Sequence, residues 1–259
     1  MAHFYLDESL IAPATVGETV ALRGQDARHA VTVARLRTGE RVALGDGAGL
    51  VVEGEVVRSD PAEVLLRAES IVREPVPSPR LVLVQALAKG DRDELAVQAA
   101  TELGVDGVQP WQAARSVSRW EGAKAEKGRA RWQTIVREAS KQAVRAHVPP
   151  VAPVVGTAAL ARRLGEPGEP GASTLALVLD PLGDAALAAL DRSALIGEGA
   201  DDVTEILLVV GPEGGIAPEE LAALEAAGAR RVRLGATVLR TSTAGPAAIA
   251  VLSAALGRW

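Results

Sequence analysis

Two glycine-bearing segments hold the residues of this sequence whose types and spacing could do chemistry. The first is Gly211-Pro212-Glu213-Gly214-Gly215, where three glycines in five residues let a backbone turn sharply or approach a ligand closely. The second opens at Gly235, 24 residues later, and runs through Val238 and Leu239 to Arg240. Neither has the spacing of a phosphate cradle, G-x-x-x-x-G-K-[ST] or G-x-G-x-x-G. The first segment carries Glu213 and no lysine, so the expected occupant is a neutral or cationic ligand held by backbone groups; an ordinary structural turn is the alternative. The 259 residues include no cysteine, which excludes a cysteine nucleophile, a thiolate zinc site and a disulfide scaffold.

The elements that must position these loops follow from the apolar pattern. Residues 206–210 form a continuous run of branched side chains, the mark of a strand buried on both faces. Pro218 opens a helix that Gly228 ends, and residues 231–234 make a short strand. Strands predicted at 81–87, 105–109, 175–179, 206–210 and 231–234 alternate with helices at 93–103, 131–147 and from about 243 to 256, so a mostly parallel sheet is expected. Both glycine loops, and Asp180-Pro181 after 175–179, leave the carboxyl edge of that sheet, where open α/β sheets bind ligands. Residues 165–171 and 197–202 read as solvated surface loops.

Upstream, residues 1–74 are short apolar runs at 20–22, 41–44, 51–57 and 64–68 punctuated by glycines, which predicts a small barrel or strongly bent sheet. One helix from 25 to 36 interrupts it, with His29 expected to be partly buried and structural. Arg23, Arg28, Arg35, Arg37 and Arg41 outnumber Asp26 and Glu40 there. Three prolines in five residues, Pro75, Pro77 and Pro79, favour an extended connector, and the domain boundary is placed on it.

The net charge of −5 argues mildly against a nucleic-acid partner, but total charge hides distribution. Residues 111–150 hold nine Lys/Arg against three Glu, a local net of +6 that is either a binding face or a solvated helix. Aromatic residues make up 2% of the chain, so Ala, Val and Leu must fill the core. No stretch approaches 18 uninterrupted apolar residues and the opening residues do not read as a signal peptide, so a cytoplasmic protein with no membrane partner is expected.

These motifs resemble a known family. VGPEGG with LGATVLRTSTA is similar to the last two motifs of the RsmE-like 16S ribosomal RNA (uracil-N3) methyltransferases, of the SPOUT class. Their pattern is approximately I-G-P-E-G-G, then L-G-x-x-I-L-R-x-E-T-A; Ser242 stands where the family usually has Glu. His29-x-x-x-Val33-x-Arg35-Leu36-Arg37-x-Gly39-Glu40 is similar to the family's N-terminal motif, and Glu138-Ala139-x-x-Gln142-x-x-Arg145 matches E-A-x-x-Q-x-x-R at its fixed positions. The resemblance implies an α/β fold, a mostly parallel sheet with a C-terminal trefoil knot over 80–259, and a small PUA-like β-barrel domain for RNA over 1–74. It also implies S-adenosylmethionine as cofactor, held by Leu179, Gly211, Pro212, Glu213, Gly214, Leu234, Gly235, Val238, Leu239 and Thr243, and a homodimer without metal. The substrate implied is 16S rRNA of the small ribosomal subunit, methylated at N3 of a uridine. Arg240 is the candidate catalytic residue, a positive charge for the N3 anion, with a structural salt bridge as its alternative. RNA contacts are assigned to Arg23, Arg28, Arg35, Arg37, Lys89, Arg115, Gln142 and Arg145; the last two, three residues apart in a predicted helix, share a face. A non-catalytic RNA-binding protein of ribosome assembly, its loops merely structural, is the alternative.

Overall fold

The computed structural model describes residues 3–13, 15–165, 173–197 and 203–259. The loop readings at 166–171 and 198–202 lie outside the described residues. The chain divides into two compact units, Met1–Val76 with Ser140–Val148, and Pro77–Ala139 with Pro149–Trp259.

In the first unit, β1 (His3–Leu6), β2 (Thr19–Arg23), α1 (Gly24–Thr32), β3 (Arg41–Gly45), β4 (Leu50–Asp60) and β5 (Glu63–Arg73) build a curled five-stranded sheet in the order β1-β3-β4-β5-β2. Side chains alternate across its strands, and Leu22, Leu44, Val52, Val56 and Leu66 pack with Ala27 and Ala30 of α1 into one core. The β4–β5 ladder shifts register between Glu53 and Gly54. A Cβ at Gly54 would lie 2.0 Å from the Arg67 carbonyl oxygen, so only glycine closes this bend. The predicted strands sit inside β2 to β5; β1, a four-residue edge strand, was too short to show a period. α1 stops at Thr32, four residues before its predicted end, because Arg35 turns left-handed (φ 57°) and the Leu36 N–H reaches back to the Ala30 carbonyl. That drops Leu36 into the core. His29 is exposed, against the expectation of a partly buried structural residue.

The second unit contains β6 (Arg80–Ala86), α2 (Arg92–Glu102), β7 (Gly107–Gln112), α3 (Ala123–Gln142, whose last residues belong to the first unit), β8 (Val155–Gly156), α4 (Thr157–Gly165) and β9 (Ser173–Leu179). It continues with β10 (Ala185–Ala186), α5 (Arg192–Ile196), β11 (Val203–Val210), α6 (Pro218–Ala226), β12 (Arg230–Arg233) and α7 (Thr241–Ala255). The sheet is wholly parallel, in the order β10-β12-β9-β11-β6-β7-β8. Its central strands are buried on both faces, as their unbroken branched runs require. Leu160 of α4 and Leu224 of α6 pack on one face with Val82, Val84 and Val209. The other face receives α7, which also packs against α2.

The end of the chain is threaded. After β12, which lies between β10 and β9, the backbone returns toward the middle of the sheet, and α7 packs against β6 and β11 and against residues 187–189. Residues 185–186 pair with β12, so the segments of the C-terminal trefoil knot, 187–189, β12 and α7, are held together at one end of the sheet. Arg258 ties off the threaded end by donating to the Pro79 and Gly104 carbonyls and to Asp106 Oδ2 at 2.8 Å.

Candidate functional site

The two glycine loops meet around one cleft of about 720 Å³ in the second unit, at the carboxyl ends of β9, β11 and β12. Leu179, Gly211, Pro212, Glu213, Leu234, Gly235, Val238, Leu239 and Arg240 line it, as does Arg115. Gly214 and Thr243 do not: Gly214 turns its carbonyl outward to accept from Arg115 Nη1 (3.0 Å), and Thr243 is an exposed residue in the first turn of α7. The lining also includes Asp180, in the loop already placed at this edge, and Arg92, Leu182, Ile216, Arg231 and Thr241, which the motifs did not single out.

Glu213 does not stand alone in the first loop. Arg92 Nη1 donates to its Oε1 at 2.8 Å and the Lys89 N–H donates to the same atom at 3.1 Å. Burial pushes its carboxyl up, but the hydrogen bonds from Arg92 and from backbone N–H groups outweigh burial and hold it below its ordinary value. Glu213 therefore clamps the first loop to the β6–α2 turn. Asp180 is likewise engaged, by Arg231 at 3.2 Å. With four guanidiniums and two carboxylates, the lining is cationic on balance, so a neutral or cationic ligand would be held here by backbone groups and apolar walls rather than by net charge. Among the described residues, Arg240 is the lining arginine whose guanidinium has no ion pair or hydrogen-bond partner; it is exposed and forms the N-cap of α7.

Arg115 is carried on the segment after β7, which Glu220 of α6 anchors. Glu220 is 7% exposed and accepts from Thr157 Oγ1 (2.5 Å), the Ala114 N–H (2.9 Å) and the Ala217 N–H (3.2 Å), the last being half of a capping box. Deeper still, Gln85 Nε2 of β6 reaches Thr241 Oγ1 at 2.8 Å, and Thr241 Oγ1 reaches the Gly211 carbonyl at 2.8 Å.

The residues assigned to RNA fall in two groups. Lys89 and Arg115 are exposed beside the cleft. Arg23, Arg28, Arg35, Arg37, Gln142 and Arg145 belong to the first unit. There Arg28, Arg35 and Arg37 are exposed without an ion pair among the described residues, whereas Arg23 is bound by Glu63 at 2.7 Å. Gln142 and Arg145 do not share a helical face. Val144 is left-handed (φ 54°), its N–H bonds the Lys141 carbonyl, and the Arg145 N–H bonds the Ser140 carbonyl, so α3 closes in a Schellman turn at Gln142. Much of the basic 111–150 run is structural: Arg131 pairs with Glu94, Lys141 with Asp26 at 2.7 Å, and Arg129 donates to the Val151 carbonyl.

Comparison with known proteins agrees with this architecture. Residues 75–253 match the model of an RNA methyltransferase domain and residues 22–69 that of an RNA methyltransferase PUA domain. The chain is 43% identical over 258 residues to the ribosomal RNA small subunit methyltransferase E of Mycobacterium bovis, covering 99% of this chain and 92% of that protein. It is 29% identical over 246 residues to the Bacillus subtilis protein of the same name, covering 91% and 90%. Among solved structures, ribosomal RNA small subunit methyltransferase E of Neisseria gonorrhoeae, bound to S-adenosyl methionine, superposes with a TM-score of 0.77 at 29% identity over 98% of both chains. A Legionella pneumophila protein in complex with the cofactor SAM superposes with a TM-score of 0.79 at 25% identity, again over 98% of both. With a parallel sheet in one unit, a curled sheet in the other, and a match to both domain models, the chain belongs to the RNA methyltransferase family.

Proposed function

We propose that the protein is an S-adenosylmethionine-dependent methyltransferase acting on N3 of a uridine in small-subunit ribosomal RNA. The observation that carries this reading is the meeting of two glycine loops around one cleft, with the unengaged Arg240 guanidinium on its rim. The cleft suits the cofactor. Its volume lies within the roughly 300–1,000 Å³ of small-molecule sites, and Leu179, Ile216, Leu221 and Leu234 offer apolar walls beside exposed loop backbone. Leu179, Gly211, Pro212, Glu213, Leu234, Gly235, Val238 and Leu239 would hold it. When bound, S-adenosylmethionine supplies an electrophilic methyl group on a sulfonium.

What the chain itself must do is align, dehydrate and stabilise charge. In-line displacement needs alignment and exclusion of water more than covalent help, and the walled cleft provides both. Uracil N3 must lose its proton, and the Arg240 charge stabilises the anion left behind. N3 lies on the Watson–Crick edge, so the target base is unpaired or flipped out. Lys89, Arg115, Arg28, Arg35, Arg37, Gln142 and Arg145 supply groups for phosphates and bases, with Arg23 contributing less because Glu63 neutralises it. A cytoplasmic homodimer completes the proposal. Leu182 and Val238, 80% and 77% exposed on the cleft lining, are the apolar residues a second copy would cover. A purely RNA-holding protein would need no open cleft between its loops. The test is nucleoside mass spectrometry of small-subunit particles incubated with protein and S-adenosylmethionine: N3-methyluridine is expected, and a methyl group on another base or on ribose would overturn the assignment.

A further inference from the structure

The two loops are tied together by a short chain of buried hydrogen bonds that lies behind the cleft. Gln85 is fully buried, and its Nε2 donates to the Ala86 carbonyl at 3.0 Å and to Thr241 Oγ1 at 2.8 Å. Thr241, 6% exposed, donates its hydroxyl proton to the Gly211 carbonyl at 2.8 Å. The directions are forced. Carbonyl oxygens only accept, so the amide must turn its NH₂ toward Ala86 and Thr241, and the hydroxyl must point at Gly211. Gln85 Oε1 is left buried with no partner, a cost that a Leu or Val in this strand would avoid.

Each end of the chain of bonds fixes something the reaction uses. Gly211 is the first residue of the first loop. Thr241 follows Arg240, whose carbonyl accepts the Thr243 N–H at 2.8 Å and the Ala244 N–H at 2.9 Å. The Arg240 backbone is thus locked to α7, while Val238 and Leu239 just before it are exposed. Gly245, one turn further, lets the helix come close: a Cβ there would lie 2.9 Å from Leu83 Cδ1. The Thr241 hydroxyl is therefore the tie between the Arg240 backbone and the first loop.

We propose that Gln85 and Thr241 are positioning residues: the relay from the Gln85 amide through the Thr241 hydroxyl to the Gly211 carbonyl holds the two loops at one separation and sets Arg240 against the bound cofactor. The proposal rests on the reading of the cleft as a methyl-transfer site. Thr241→Val removes the hydroxyl at nearly constant shape, and Thr241→Ser restores it. Three measurements apply: calorimetric titration with S-adenosylmethionine, kcat at saturating cofactor on small-subunit particles, and the melting temperature without ligand. For Thr241→Val the dissociation constant should rise about tenfold and kcat fall about tenfold to a hundredfold, with Thr241→Ser within about twofold of wild type in both. A Thr241→Val protein with wild-type binding and kcat, whatever its melting temperature, overturns the relay. Should that variant not fold, Gln85→Met leaves the Thr241–Gly211 bond in place and takes the same readings; a lowered kcat supports the relay and an unaltered one overturns it. Failure of the wild-type protein to bind S-adenosylmethionine overturns the reading of the cleft and the relay's role with it, and it shows before any variant is made.

Discussion

Removing the Glu220 carboxylate should unseat Arg115 from the cleft. Hydrogen bonds to a charged acceptor contribute about 1.5–3 kcal/mol each, and truncation leaves buried donors without partners. In Glu220→Ala the Ala114 and Ala217 N–H groups lose their acceptor. The Ala217 bond, at 3.2 Å, counts at the low end, and the Thr157 hydroxyl still accepts from Trp111 Nε1 at 3.1 Å, so its loss is partial. The sum is about 3–5 kcal/mol of stability for Glu220→Ala. Glu220→Gln should cost about 1–2 kcal/mol, because its amide oxygen can keep the Thr157 and Ala114 bonds and only the Ala217 N–H faces an NH₂ group. Urea unfolding followed by tryptophan fluorescence reads both, with an unchanged slope expected. Function should separate from stability: affinity for small-subunit RNA should fall by about fivefold or more in Glu220→Ala, a loss of roughly 1 kcal/mol from one loosened cation, while S-adenosylmethionine binding moves less. A stability loss below about 1 kcal/mol would refute the accounting. The full stability loss with undiminished RNA affinity would refute the link from Glu220 to Arg115.

Further outcomes follow from the same geometry. Arg240→Ala should bind S-adenosylmethionine normally by calorimetry yet lose about 10²–10³ in methyl transfer; unchanged turnover would remove Arg240 from the chemistry. Gly211→Val should abolish cofactor binding at a folding cost of about 1–3 kcal/mol, since even a Cβ would sit 2.6 Å from Ile216 Cγ1; tight binding in calorimetry would show the first loop is not the site. Burial raises the Asp93 carboxyl above its ordinary 3.8, against the lowering effect of the Ala88 and Glu94 N–H groups. A raised folded value means stability that is present below the ordinary carboxylate range and lost as pH rises through the folded value. Urea midpoints of wild type should therefore fall relative to Asp93→Asn as pH rises above the ordinary carboxylate range, and parallel curves would contradict this.

How much of this was legible depends on where the decisive interaction lies. The parallel sheet was readable because 81–87 and 206–210 are unbroken branched runs, and two glycine loops leaving the same strand edge pointed at the cleft. Helix ends were misread where tertiary contacts overrode periodicity: Arg35 and Val144 are left-handed although neither is glycine, and no local pattern announces that. Segment 140–148, read as a helix of the C-terminal half, belongs to the N-terminal unit through long-range contacts such as Lys141 with Asp26. The engagement of Glu213 by Arg92 spans 121 residues, beyond any motif. Gln85 did carry a signal. A lone amide in a strand of Leu and Val must find a partner once buried, and that partner proved to be Thr241.

The threaded last helix also sets a schedule. Thr241 and Ala244 line the cleft, and they belong to α7, the last helix of the knot. A chain halted after β12 would contain the first glycine loop and every strand of the sheet, yet neither the second loop with Arg240 nor the α7 residues that line the cleft. The cleft is thus complete only with α7 in place, and the segment after α7 is pinned by Arg258 to the Pro79 carbonyl and Asp106.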